Sequence, residues 1–244
     1  METKMKKLFV LLAILSPIPA FSMHIMEGFL PAFWSMFWSI VYLPIFILGF
    51  RKIKQLVVEK PELKLLLALA TAFAFVLSAL KLPSVSGSCS HPTGVGLGAL
   101  LFGPWVMAVI GVLVLLFQVL LLAHGGITTL GANAFSMAFI GPMFTWLVFA
   151  LSNKLGLNKK VGVFLAVFVG NMATYICTSA QLAFAHPDVV NGVTTAFYKF
   201  VSIFGLTQIP IAVIEGLLTV VVLNLLSDHV PMRFDFLSQY KKRN

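Results

Sequence analysis

The chain has 244 residues, of which 59% are hydrophobic and only 10% are charged, and its mean hydropathy is +1.00. Ordinary globular domains carry about a quarter charged residues, so this composition excludes a soluble domain and predicts an all-α protein that crosses a membrane several times. The formal net charge of +9 is weak evidence for a nucleic-acid partner, because basic residues also orient membrane helices.

The first 22 residues have the pattern of a secretory signal peptide. Three lysines precede the apolar stretch LFVLLAIL, two prolines in PIPAFS interrupt the helix, and Ala20 and Ser22 supply the small residues of a cleavage site. We expect cleavage after Ser22, with an uncleaved signal anchor as the alternative. Cleavage makes Met23 the new N-terminus and His24 the second residue, and residues 23–244 form a single membrane-embedded domain.

Seven apolar segments follow the signal. They run over residues 33–50, 63–80, 94–102, 104–123, 133–151, 161–185 and 202–226. Six of them are near the length that crosses a bilayer, which predicts about seven transmembrane helices. The third segment is too short to cross about 30 Å alone, so we expect its neighbours to bury it or the preceding loop to extend it.

The basic residues orient these segments. With the mature N-terminus outside and the C-terminus inside, twelve lysines and arginines lie in inner segments, and only Lys81 and Lys199 lie in outer ones. This is a strong positive-inside bias, which adding or removing one helix would spoil. The N-terminus, the loops 81–94 and 123–133 and the stretch 186–192 then share the outer face, together with four of the five histidines.

A histidine in the second position can chelate a metal ion with the chain terminus. The free α-amine, the Met23–His24 peptide nitrogen and the Nδ1 atom of His24 would close a five-membered and a six-membered ring around one ion. An α-amine has a pKa near 8, so a metal displaces its proton at little cost at neutral pH. These nitrogens lie nearly in a plane, which favours Ni(II), Cu(II) or low-spin Co(II) over zinc or magnesium.

His91, in the loop SGSCSHPTG, is the natural fourth nitrogen donor, since Pro92 restricts its backbone. Three further residues are candidates for supporting the ligands. His124 in AHGG either joins the site or simply ends a helix, with Gly125 as the residue after the cap. Glu27 could orient an imidazole or be a plain exposed or capping carboxylate. Asn133 is expected to hydrogen-bond between helices close to the outer face.

Three blocks of the sequence resemble one family. They are MHIMEGFLP, SGSCSHPTGVGLGALLFGP and LLFQVLLLAHGGITTLGANAFSMAFIGP, and they are similar to the substrate-capture subunits of cobalt/nickel energy-coupling-factor transporters, the CbiM/NikM family. The resemblance covers the mature chain and is closer to the cobalt branch. It implies a seven-helix protein of the prokaryotic cell membrane that binds Co(II), or alternatively Ni(II), through Met23, His24 and His91, with the ion as cargo rather than cofactor.

The resemblance also implies partners: a transmembrane coupling subunit, two ATPase subunits and a small CbiN-like accessory membrane protein. The chain itself has no G-x-x-x-x-G-K-[ST] sequence, so we expect no ATPase activity from it. Ala68 and Ala72 form a small-residue face that either docks a partner helix or packs within the subunit. Glu215, a carboxylate inside an apolar segment, is a functional candidate without an assigned role.

A membrane-embedded metalloenzyme is the alternative from a different functional class. It would need an open coordination position and a general base, and the sequence contains no H-E-x-x-H. We therefore expect a transport subunit rather than an enzyme.

Overall fold

The computed structural model describes residues 24–83 and 89–229. Within these ranges the chain is almost entirely helical, with one pair of two-residue antiparallel strands in which Leu82 lies opposite Ser90. In chain order the elements are α1 (Ala32–Glu59), α2 (Leu63–Ala79), β1 (Leu82–Pro83), β2 (Cys89–Ser90), α3 (Val95–Phe102), α4 (Pro104–Leu122), α5 (Leu130–Lys154), α6 (Lys159–Ala185) and α7 (Gly192–His229). A π-helical stretch, Ala134–Ile140, lies inside α5.

Five of these helices are long and apolar enough to cross a membrane, namely α1, α4, α5, α6 and α7. The predicted all-α polytopic class is therefore confirmed for the described part of the chain. Helix α2 has 17 residues and α3 has 8, so seven complete crossings stay a prediction. The signal peptide and Met23 lie outside the described residues.

Helix α3 is enclosed by its neighbours, as its length required. Every residue from Val95 to Leu101 is buried. The turn before it is tight: Gly94 has a φ of +69°, and a Cβ atom there would lie 2.7 Å from the Cα atom of Ala74 in α2. Helix α3 is only about 12 Å long, so it does not cross a bilayer by itself, and the third crossing stays a prediction.

Three apolar clusters hold the helices together. One joins α1, α2, α4 and α5 around Tyr42 and Met107, and a second joins α2, α3, α6 and α7. The third packs Ile25 and Leu30 against Tyr175. Ile25 and Leu30 belong to residues 24–31, which we call the N-terminal segment, so burial of apolar side chains fixes this segment on α5, α6 and α7.

The small residues of α2 divide between two faces. Ala70 and Ala74 are buried inside the subunit, whereas Ala68 and Ala72 are exposed. Exposed apolar side chains such as Leu65 and Leu69 lie beside the latter pair. Packing within the subunit therefore uses Ala70 and Ala74, and the Ala68–Ala72 face remains available to lipid or to another helix.

Candidate metal site

Three histidines from three separate segments meet at one end of the helices. His24 comes from the N-terminal segment, His91 from the stretch between β2 and α3, and His124 from the loop after α4. Their ring centroids lie 4.8 to 5.1 Å apart, and one nitrogen from each lies within 4.8 Å of the others. All three are buried, so the cluster could hold a transition-metal ion through imidazole nitrogens.

The hydrogen bonds assign the nitrogens of His91. Its Nδ1 atom lies 2.8 Å from the carbonyl oxygen of Pro92, which can only accept, so Nδ1 carries the proton. The lone pair is therefore on Nε2, and the Nε2–H of His124 donates to it over 3.1 Å. Nε2 of His91 is the atom that would bind an ion, and in the present arrangement a proton of His124 occupies that position.

Polar groups of α6 and α7 hold the His91 backbone. The hydroxyl of Tyr175 donates to the carbonyl oxygen of His91 over 3.2 Å, and the amide of Gln208 donates to the same oxygen over 3.4 Å. Gln208 also donates to Asn171 over 2.6 Å. The histidine is thus fixed through its main chain, while its imidazole contacts Pro92 and His124 in the cluster.

Glu215 of α7 fastens the turn that follows His91. Its carboxylate accepts hydrogen bonds from the backbone and hydroxyl of Thr93, at 2.7 and 2.8 Å, and from the backbone of Gly94 at 2.9 Å. Asn171 donates a fourth bond over 2.6 Å. Four donors satisfy a carboxylate that is 1% exposed, which is how proteins accommodate a buried charge. Glu215 therefore has a structural role, which the sequence left unassigned.

The N-terminal segment is held by a different set of contacts, centred on Asn133. The Asn133 side chain accepts from the backbone N–H of Ile25 over 2.8 Å and donates to its carbonyl over 3.0 Å. The hydroxyl of Thr129 donates to the same carbonyl over 2.6 Å. Asn133 therefore fixes the residue that follows His24, and it lies directly before the π-helical stretch, a feature frequent at functional sites.

Glu27 differs from its predicted role as a carboxylate that orients an imidazole. It is exposed, and its carboxylate accepts hydrogen bonds from the backbone and hydroxyl of Thr128. The physical reason is a close approach of two backbones, since a Cβ atom on Gly126 would lie 2.6 Å from the Cα atom of Glu27. Glu27 thus ties the N-terminal segment to the loop between α4 and α5, away from the histidine rings.

The environment keeps the three histidines neutral. Burial holds the pKa of His24 well below its ordinary value, and the nearby His124 and His91 add to this, whereas the Gln118 amide opposes it. Burial lowers the pKa of His91 to about 4. Burial, and then the proximity of His91 and of Lys81, lowers the pKa of His124 to about 3. At neutral pH the imidazoles therefore keep their lone pairs, as metal binding requires.

The structure places His124 in the cluster, where the sequence left its role open. Both alternatives are partly correct. The His124 backbone N–H donates to the Gln118 carbonyl at the end of α4, and the His124 side chain lies in the cluster. Helix α4 is capped by Ala123, a non-glycine residue with a left-handed φ of +47°. Gly125 is therefore not the residue directly after the cap, as the sequence alternative assumed. His186 is exposed and contacts the carbonyl oxygen of Phe29, outside the cluster.

Sequence reasoning did not identify the residues that hold the His91 backbone. Tyr175, Asn171 and Gln208 are uncharged polar residues inside long apolar helices. That isolation is the one available signal, because polar side chains in membrane helices tend to hydrogen-bond to other helices. Gln118 of α4 behaves in the same way, since its amide donates to Ser78 of α2 over 2.7 Å.

Residues 24–232 match the family described as "CbiM: Cobalt uptake substrate-specific transmembrane region". Among curated relatives, the chain is 59% identical over 232 residues to "Cobalt transport protein CbiM" of Anoxybacillus flavithermus, covering 95% of this chain and 92% of the relative. It is 58% identical over 219 residues to the protein of the same name from Nostoc sp., covering 90% and 84% of the two chains.

Two crystal structures have the same fold. A truncated transition metal transporter superposes with a TM-score of 0.74 at 26% identity, over 84% of this chain and 99% of the other. A second transition metal transporter gives the same TM-score at 25% identity, over 91% and 100% of the two chains.

Proposed function

Because the chain belongs to the CbiM family of cobalt uptake substrate-specific transmembrane regions, we propose that it is the substrate-binding subunit of an ATP-driven energy-coupling-factor transporter for Co(II). In this proposal the outer histidine cluster captures the ion. ATP hydrolysis in partner subunits then reorients the loaded subunit so that the ion is released inward. The relatives carry transport names, which supports a transport subunit over a membrane metalloenzyme.

The proposed ligands are four nitrogens. Signal cleavage after Ser22 supplies the Met23 amine, the Met23–His24 peptide nitrogen and Nδ1 of His24 complete two chelate rings, and Nε2 of His91 closes the plane. A planar set of four nitrogens suits low-spin Co(II) and also Ni(II). The ion would displace the proton that His124 now donates to His91, so His124 must turn or join the coordination when the ion binds.

One observation carries the proposal: three buried histidines converge although they come from distant parts of the chain. Gathering neutral imidazoles away from water costs solvation that a structural role alone would not require. The contacts of His91 with Pro92 leave its Nε2 lone pair directed into the cluster. The burial of Ile25 and its bonds to Asn133 bring His24 to the same point.

The proposed partners are a transmembrane coupling subunit, two ATPase subunits and a small CbiN-like accessory membrane protein. The exposed Ala68–Ala72 face of α2 is the surface we assign to the coupling subunit. Small residues let helix backbones approach closely in lipid, where apolar side chains provide little drive to associate. Leucine at both positions should block assembly and leave ion binding unchanged.

The test is cobalt retention by the purified, processed protein, measured by elemental analysis. His24→Ala and His91→Ala should each abolish retention, and Gln55→Ala, which changes an exposed side chain near the end of α1, is the control. Blocking cleavage with Ala20→Leu and Ser22→Leu should have the same effect as His24→Ala, since no free amine then adjoins His24. Normal retention in His24→Ala or in the uncleaved protein would overturn the proposal.

Competition between the two ions tests the metal assignment. The processed protein is loaded with Co(II) and dialysed against increasing Ni(II), and both metals are measured in the protein fraction. Uptake of labelled cobalt and of labelled nickel by cells that carry the partner subunits gives the second measurement. Preferential uptake of nickel would reassign the chain to nickel transport.

A further inference from the structure

Gln118 lies in the last turn of α4, and among the described residues its side-chain nitrogen has a hydrogen-bond partner but its side-chain oxygen has none. The residue is fully buried, and its Nε2 atom donates to the Ser78 hydroxyl over 2.7 Å. That hydroxyl has one hydrogen, which it gives to the carbonyl of Ala74 over 2.5 Å, so it must accept from Gln118. The amide orientation is therefore assigned by its contacts, and Oε1 of Gln118 faces away from Ser78 without a hydrogen-bond partner among residues 24–83 and 89–229.

His24 has a ring nitrogen that could pair with this oxygen. Its Nε2 atom is buried and likewise has no hydrogen-bond partner in the described part of the chain. The chelate of the proposed function needs Nδ1 of His24, because Nε2 is too far around the ring to close a small chelate with the preceding peptide nitrogen. An imidazole that binds through Nδ1 carries its hydrogen on Nε2, and a buried N–H requires an acceptor.

Two further observations place these atoms together. The loop that follows Gln118 returns to His24, since a Cβ atom on Gly125 would lie 3.4 Å from the Cβ atom of His24. In addition, the main-chain carbonyl of Gln118 accepts the backbone N–H of His124 over 3.1 Å, and the ring centroid of His124 lies 4.8 Å from that of His24. The end of α4 that carries Gln118 therefore lies against the histidine cluster.

We propose that Oε1 of Gln118 accepts the Nε2–H of His24 and so fixes Nδ1 as the nitrogen that binds the ion. Gln118 is thus a positioning residue, which acts on the ion through His24. Metal-bound histidines commonly donate their second nitrogen in this way, which sets the tautomer and the ring orientation. The inference rests on the proposed function, since it assumes coordination through Nδ1.

The test distinguishes two roles of Gln118, as a hydrogen-bond acceptor for His24 and as a hydrogen-bonded link between α4 and α2. Gln118→Met keeps the length and removes the acceptor, Gln118→Glu keeps an acceptor, and Ser78→Ala removes the other contact of the amide. We expect cobalt affinity to fall about 10- to 100-fold in Gln118→Met and to be largely restored in Gln118→Glu. Ser78→Ala should stay within about threefold of the wild type. Equal losses in Gln118→Met and Ser78→Ala would overturn the inference in favour of helix packing.

A spectroscopic measurement reads the tautomer directly. Ni(II) in a planar four-nitrogen site is diamagnetic, so ¹⁵N-histidine-labelled protein loaded with Ni(II) should show a protonated Nε2 for His24. This signal should persist in Ser78→Ala and shift or vanish in Gln118→Met. An unchanged signal and unchanged affinity in Gln118→Met would refute the role of Gln118.

His24→Ala distinguishes the two levels of inference. If that variant retains cobalt normally, the proposed function fails whatever Gln118 does. If it loses cobalt while Gln118→Met binds and folds like the wild type, only the assignment of Gln118 fails. Thermal unfolding of each variant in the same detergent shows whether a loss of binding reflects a loss of folded protein.

Discussion

The segments that carry His24 and His91 are held by different sets of contacts. The His91 segment is an internal loop, and buried groups of α6 and α7 bind it, above all the four hydrogen bonds to Glu215. The N-terminal segment is bound by the buried side chains of Asn133 and Thr129 and by the exposed Glu27. The His91 segment is therefore held by buried groups of two long helices, and the His24 segment partly by an exposed one.

This difference bears on how an ion could enter and leave. The His91 segment cannot move without breaking hydrogen bonds inside the protein, where no water replaces them. The N-terminal segment can leave by exchanging a few hydrogen bonds for water and exposing Ile25 and Leu30. If His91 and His24 are the ligands proposed above, His91 would be the fixed one and His24 the detachable one, and the following predictions test that distinction.

The largest effect is expected from Glu215→Gln. The amide offers one acceptor oxygen and brings two hydrogens of its own toward groups that already donate, so several buried donors lose their partner. We expect the free energy of unfolding to fall by about 3 kcal/mol, measured by thermal unfolding in detergent. Glu62→Gln, which changes an exposed carboxylate, is the control, and equal stability of the two variants would contradict a fixed His91 segment.

Acid should destabilise the metal-free protein. The folded pKa values of His91 and His124 are lowered to about 4 and about 3, whereas the unfolded chain takes up protons near 6.5. The folded state therefore binds fewer protons between about pH 4 and 6.5, so stability is complete above this window and falls within it by up to about 1.4 kcal/mol per histidine and pH unit.

The same titration distinguishes the two segments. Thermal unfolding at pH 7.5, 6.5, 5.5 and 4.5 should show a smaller acid-induced loss in His91→Gln than in the wild type. His24→Gln should reduce the loss less, because the N-terminal segment can detach and let His24 take its proton in water. A flat profile in the wild type would contradict the neutral cluster.

Asn133→Ala should loosen the N-terminal segment with a smaller effect on the fold. It removes both bonds between the Asn133 side chain and Ile25, so fewer contacts order His24 before the ion binds. We expect about tenfold weaker cobalt binding, equivalent to about 1.4 kcal/mol, measured by competition with a coloured chelator. Asn133→Asp retains the acceptor for the Ile25 N–H, so its cobalt affinity should lie between that of the wild type and that of Asn133→Ala. A loss of stability as large as that of Glu215→Gln would mean that this segment is also part of the core.

The smallest effect is expected from Glu27→Gln. The carboxylate is exposed and its bonds to Thr128 compete with water, and such surface contacts contribute little. Cobalt affinity should stay within about twofold of the wild type in the same competition assay. A tenfold loss would return Glu27 to the role of orienting a ligand.

The sequence predicted the helices well because apolar length is a strong signal in a membrane protein. It placed their ends less well: α1 continues to Glu59 and α7 begins at Gly192, whereas the apolar segments were bounded at 50 and 202. The added turns contain Lys52 and Lys199. A helix can continue into water with such residues, but a hydropathy criterion stops at the edge of the apolar region.

The site was predictable only where its chemistry depends on local spacing. The cleavage-site pattern before His24 and the proline after His91 are visible in the sequence, and both histidines lie in the cluster. The side-chain direction of His124 depends on the left-handed backbone of Ala123. The sequence does not indicate this conformation, because alanine seldom adopts it. The contact of Asn171 with Glu215 spans 44 residues, and that of Thr93 spans 122, so no local pattern could reveal them.

The position of Glu215 also sets the electric field that an arriving ion meets. Helix α3 starts just after the His91 segment, and the N-terminal end of a helix carries about half a positive charge. Together with Lys81, that end would repel a divalent cation. The Glu215 carboxylate binds the amides of Thr93 and Gly94 at this same end, so its negative charge offsets the helix dipole. A site built from neutral imidazoles can thereby accept a doubly charged ion.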